Sequence, residues 1–146
     1  MTGKNAGLAA LLRREYGDHI INIHCFSNRL ELAFHDVVKS ENKYQKLMNL
    51  LIGLHKFYKI HKNRKGLKKA SEALSINIVA PKKITTTRWL PYLNDGINSL
   101  AKNYKAYEAH LASCSHENAK AQGYYSMLLD KGLMTFAIVL QVLLCC

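Results

Sequence analysis

Residues 82–111 read KKITTTRWLPYLNDGINSLAKNYKAYEAHL, and the second half of this stretch decides the fold. Leu93, Ile97, Leu100, Tyr104, Tyr107 and Leu111 recur at steps of three and four, the spacing that stacks side chains on one face of an α-helix. From Leu93 to Leu111 that face runs for about five turns. Ahead of it lie Lys82 and Lys83, a polar Thr85-Thr86-Thr87 link, and Arg88 followed by Trp89, the only tryptophan in the chain. An indole stacks on an unpaired base and a guanidinium binds phosphate. A tryptophan at a helix start also serves as a core anchor, and both readings stand at this point.

The flanking sequence repeats the helical period. Residues 4–17, KNAGLAALLRREYG, give a first helix with Asn5 as cap, Leu8, Leu11 and Leu12 on one face, and Gly17 as stop. Ser27 can cap a second, with Leu30, Phe34, Val37 and Val38 at helical spacing. Ser40 can cap a third, carried by Tyr44, Leu47, Leu51, Leu54 and Tyr58. Residues 64–74 give a short helix with Leu67, Ala70 and Leu74 inward, and residues 75–87 break the pattern with β-branched residues and Pro81. Two more helices follow, from about Glu117 to Asp130 and over the apolar end. The exception is HIINIHCF, residues 19–26, whose β-branched run predicts one short strand at about 20–25. The fold expected is mainly α. Because one strand needs a partner, the first 40 residues read as part of an α/β core and 41–146 as a helical domain.

The 146 residues carry a formal charge of +11, and 49% are hydrophobic. That composition excludes a disordered chain and favours anionic partners, nucleic acid before a membrane surface; the plainer reading is a basic soluble protein without one. The charge is concentrated. Ten basic residues lie between Lys39 and Lys69, with Glu41 as the only acid. Lys62, Arg64, Lys65, Lys68 and Lys69 close that run, and the near absence of interspersed acids predicts a positive patch.

Catalytic chemistry finds little support. Asp18, Asp36, Asp95 and Asp130 each lie on or next to a predicted helix without a paired acid, whereas metal-assisted phosphoryl transfer needs clustered carboxylates. There is no glycine-rich phosphate loop, and none of the seven histidines has a nominated nucleophile. Cys25, Cys114, Cys145 and Cys146 form no C-x-x-C pair. They read as free thiols, with His24, Cys25, Cys114 and His116 a remote zinc set. No metal and no cofactor are expected. The run from Leu133 to Cys146 is short of the roughly 20 residues a membrane span needs. It reads as a core helix whose Leu133, Phe136, Ile138, Val139, Leu140, Val142 and Leu143 drive self-association if left uncovered. No membrane partner is expected, although Cys145 and Cys146 could carry lipid.

Two motifs carry a family resemblance. TTTRWLPYLNDGINSLAKNYKAYEAHL resembles the T-R-W-L segment of hAT-superfamily transposases and the zinc-finger proteins derived from them, and IHCFSNRLELAFHD resembles that family's C-x-x-H-R-L-x-L-A segment. Residues 1–25 are similar to the stretch that joins the family's second catalytic aspartate to this motif. The resemblance extends to about Leu144. It implies a piece of an RNase H-like core followed by most of an all-helical insertion domain, without the D-D-E acids that hold divalent metal in the family, without its zinc finger and without its dimerisation segment. It therefore implies an inactive, DNA-binding chain located in the nucleus. Cys25, Arg29, Leu30, Leu32 and Ala33 match the family motif, Asn28 replaces its histidine, and Thr86 stands where glycine is common. Arg88 and Trp89 match the R-W pair, whose tryptophan in relatives engages a flipped base or hairpin at the transposon end. The site residues so implied are Asn28, Arg29, Arg88 and Trp89; Lys82 and Lys83, just ahead of the Arg88-Trp89 corner, and the basic run join them by their charge. A protein-interaction module binding transposase-like chains is the alternative, and a truncated gene product without function is the third reading.

Overall fold

The longest helix runs from Trp89 to Cys114, and it buries the face that the spacing marks. Leu93, Ile97, Leu100, Tyr107 and Leu111 are buried, and Tyr104 is half-buried. The structure is a computed structural model that describes residues 7–17, 19, 21, 23, 25–84 and 89–144 (for Trp89 the backbone alone). Among these residues this helix is the fifth of seven: α1 (Leu8–Tyr16), α2 (Phe26–Val38), α3 (Asn42–Lys59), α4 (His61–Ala73), α5 (Trp89–Cys114), α6 (Ala119–Leu129) and α7 (Lys131–Leu144). Pro91 sits in the first turn of α5, where a missing N–H leaves no helical bond unmade.

Helices α3 and α5 form the centre. Each packs against the other and against α4, α6 and α7. The heptad-like faces of α3 (Tyr44, Leu47, Leu51, Leu54, Tyr58) and α5 interlock, with Leu67 of α4, Leu128 of α6 and Leu133, Ala137 and Leu140 of α7 closing the core. Asp130 ends α6 and starts α7, accepting from the Leu133 N–H at 3.1 Å, a helix-start cap. The chain bends there by 68°, and α6 and α7 both pack on α5. Helices α1 and α2 contain no buried residue; Phe34 and Val38 alone in α2 pack half-buried against the core.

Several local expectations change. No strand occurs among the described residues. Ile21, Ile23 and Cys25 are irregular and exposed, Ile23 at 84%. A β-branched run supplies propensity, but a strand needs a ladder partner, and the other non-helical segment of length, residues 76–84, is engaged by α5. Ser27 lies inside α2, with Cys25 at the cap position. The third helix is capped by Glu41, not Ser40. Helix α4 starts at His61, earlier than the pattern suggests, and Leu74 just beyond its end is exposed. Asn5 lies outside the described residues. Gly17 does end α1, at a φ of 101° that favours glycine. Of the seven apolar residues picked out in the last helix, Leu133 and Leu140 are buried, Phe136 is half-buried, and Ile138, Val139, Val142 and Leu143 are exposed.

Candidate nucleic-acid interface

Helix α4 has an unusual make-up for a packed helix. It lacks an acid in its first turn and a side-chain cap at its start, so its stability comes from packing rather than from end effects. Leu67 is 1% exposed and Ser71 is buried. Asn63 donates from Nδ2 to the Phe57 carbonyl at 2.9 Å, which closes the α3–α4 corner. Gly66 lies against the ring of His110 on α5, so close that a Cβ at this position would collide with Nε2. The close approach seats α4 on an aromatic cluster. Tyr58 stacks on Tyr107 with ring centroids 5.1 Å apart, Phe57 meets Tyr124 edge-on, and the Tyr58 hydroxyl is 3.1 Å from His110 Nδ1. Burial raises the Tyr58 and Tyr107 hydroxyls and the Cys114 thiol above their ordinary pKa values and lowers that of His110. These groups are therefore uncharged packing elements at neutral pH.

With Leu67, Ala70 and Ser71 turned inward, helical geometry sends the basic side chains to the opposite arc. Lys62, Arg64, Lys65, Lys68 and Lys69 are all exposed. Arg64, Lys65, Lys68 and Lys69 border one open groove of about 670 Å³, together with His61, Glu72 and Ile78. Lys68 is 3.8 Å from Glu72 in an exposed i,i+4 pair, and Lys39 at the other end of the basic run pairs with Asp36 at 2.6 Å. Among the described residues no other ion pair involves the basic run. The groove thus presents a surplus of cations with one acid, an arrangement suited to a row of phosphates.

The far wall of that groove is the irregular segment after α4. Its path is fixed from both ends. Ser75 has φ 53°, the Ile76 N–H bonds to the Ser71 carbonyl, and the Ser75 N–H bonds to the Glu72 carbonyl, which together make a Schellman-type stop. Further on, Asn103, wholly buried in α5, accepts from the Val79 N–H at 2.9 Å and donates back to the Val79 carbonyl. Ser99 donates to the Ala80 carbonyl, and His55 lies 3.0 Å from the Pro81 carbonyl. Asn103 therefore treats Val79 as a strand neighbour would. Sequence reading passed over Asn103, yet its signal was present: it falls three residues after Leu100 and four before Tyr107, on the buried face. A lone amide there must find partners.

The residues named from the sequence are only partly assembled. Four of the five α4 cations share the groove. Lys82 and Lys83 are exposed beyond Pro81 and do not border it. Asn28 and Arg29 are exposed on α2, which has no extensive contact with α4. Arg88 and the Trp89 side chain lie outside the described residues, so only the position of Trp89 as the first residue of α5 is fixed.

The carboxylates do not converge. Asp36 sits beside Lys39 on α2, Asp95 is exposed on α5 and Asp130 caps α7; Asp18 lies outside the described residues. Among the described residues no three of His, Cys, Asp and Glu come together as a metal site. Cys25 stands at the cap position of α2 and Cys114 ends α5. No single helix among the described residues is long and apolar enough to cross a membrane. No protein-family model, curated protein or solved structure matches the chain.

Proposed function

We propose that this chain is a catalytically inactive relative of hAT-type transposases, a short RNase H-like segment followed by a helical insertion-type domain, that binds DNA in the nucleus through the basic arc of α4. The observation that carries the binding is the gathering of Arg64, Lys65, Lys68 and Lys69 on one open groove with Glu72 as the only acid. Exposed cations on a rigid helix release counterions from a phosphate chain without any reordering of the protein. The family assignment rests on the motifs around Arg29 and Trp89, and the lack of phosphoryl transfer on the dispersal of the carboxylates. A second reading, docking onto transposase-like chains, is favoured by α1 and α2, whose Leu8, Leu11, Phe26, Leu30 and Val37 remain exposed.

The test is binding of duplex and single-stranded DNA across a salt series. Affinity falls steeply with salt if α4 engages phosphates. Replacing Lys62, Arg64, Lys65, Lys68 and Lys69 with Gln weakens all sequences alike and flattens the slope. Trp89→Ala costs about 1–3 kcal/mol on substrates with unpaired bases and little on plain duplex. Binding that ignores salt removes the α4 surface, and a Trp89→Ala variant that only loses melting temperature makes the indole a core anchor.

A further inference from the structure

A second groove, of about 540 Å³, lies between α5 and α7, with Ile76 of the segment after α4 at its edge. Its floor is apolar: Ile97, Leu100, Tyr104, Met134 and Ala137, with exposed Ile138 at the lip. The polar atoms of its wall are largely engaged, since the Tyr104 hydroxyl donates to the Leu128 carbonyl and Gln141 Nε2 donates to Asn98. What stands free at the rim is charge of one sign. Lys102 and Lys105 border the groove, no acid does, and neither lysine is ion-paired among the described residues.

Helix α7 does not end its apolar surface at the groove. Leu133, Ala137 and Leu140 are buried against the bundle, Met134, Phe136 and Leu144 pack half-buried on it, and Ile138, Val139, Val142 and Leu143 remain exposed. A surface helix normally turns polar residues, not a row of large apolar ones, toward solvent. Met134 and Ile138 line the groove and exposed Val142 extends their row, a strip of nine residues along α7, about 12 Å or two turns. A strip of that length between two helices has the form that receives a third helix with anchors at i, i+3 or i+4, and i+7.

We infer that the α5–α7 groove docks an amphipathic helix of a partner protein that carries acidic residues along the edge facing Lys102 and Lys105. Charge selects this occupant. A second copy of this chain brings a net charge of +11 to a lysine-lined rim, whereas glutamates one turn apart on an incoming helix match the i,i+3 spacing of the two lysines. The inference is independent of DNA binding at α4, because the two grooves share no residue.

The experiment uses the full chain and two labelled synthetic helices with the same leucine anchors, one edged with glutamate and one with lysine. The glutamate helix binds, about tenfold or more tighter than the lysine helix. Ile138→Arg, at an exposed position, abolishes binding without lowering the melting temperature. Lys102→Glu with Lys105→Glu inverts the preference between the two peptides. The inference is overturned if both peptides bind equally or neither binds, or if Ile138→Arg has no effect. It is also overturned if sedimentation equilibrium shows a dimer that Ile138→Arg dissociates, or if oleate occupies the groove and excludes the glutamate helix.

Discussion

Residues 7–41 and residues 42–144 both write apolar residues at helical spacing, and they come to different ends. In α1 and α2 the pattern yields amphipathic helices with no buried residue, and Leu30 remains 57% exposed. In α3 and α5 the same period yields a core in which Leu47 and Leu93 have no exposure. The difference does not lie in propensity. The faces of α3 and α5 meet other apolar faces within the chain, whereas of α1 and α2 only Phe34 and Val38, both on α2, pack against the core. Hydrophobic periodicity makes a helix ready for burial, and a facing surface decides whether burial happens.

The strongest way to break this comparison is truncation within each region. Leu93→Ala costs about 2–5 kcal/mol, because a buried leucine leaves a cavity, and Leu30→Ala stays within about 0.5 kcal/mol. Urea unfolding of both variants measures this; equal losses would mean that α2 is covered in solution. Next in size is Asn103→Ala, which strands the Val79 amide groups and costs about 1–3 kcal/mol. Amide exchange should speed up at Val79 while the core of α3 remains protected.

A gain is expected at Ser75. A left-handed conformation costs a side-chain-bearing residue about 1–2 kcal/mol, so Ser75→Gly raises stability by about 1 kcal/mol, read as a higher melting temperature. The smallest effect concerns pH. Burial holds His110 below its ordinary pKa, so the unfolded chain takes up its proton more readily than the folded one. The stability this residue contributes is whole above about pH 6.5 and is lost as pH falls toward the folded value. It is faced by the Tyr58 hydroxyl, the Phe57 ring and Gly66. Between about pH 7.5 and about pH 5.5, His110→Gln should lose less melting temperature than the parent chain; identical losses would place the pH response elsewhere.

Much of the bundle was legible in the linear sequence. The six-residue face of α5, the Tyr44–Tyr58 face of α3 and the concentration of lysines near α4 all depend on spacing and composition, which a helix converts into direction without outside help. The limits of helices were less legible, as the caps at Cys25 and Glu41 illustrate, because several polar residues near a helix start compete for the same few N–H groups. Of the candidate site, the cations could be named from the sequence, but their division could not: Arg64, Lys65, Lys68 and Lys69 share one groove, while Lys82, Lys83 and Arg29 fall elsewhere.

What the sequence determined by itself is therefore the helical character, the buried faces of α3 and α5, and the excess of positive charge. The tertiary structure alone decided that Ile21, Ile23 and Cys25 stay outside a sheet, since a strand exists only with a hydrogen-bonded neighbour. It also decided that Asn103 ties residue 79 to α5, and that α7 buries one face and leaves Ile138 exposed at the lip of a groove. Each of these depends on which surfaces meet across long stretches of chain, and such meetings are governed by packing and by the pairing of buried polar groups, neither of which local spacing encodes.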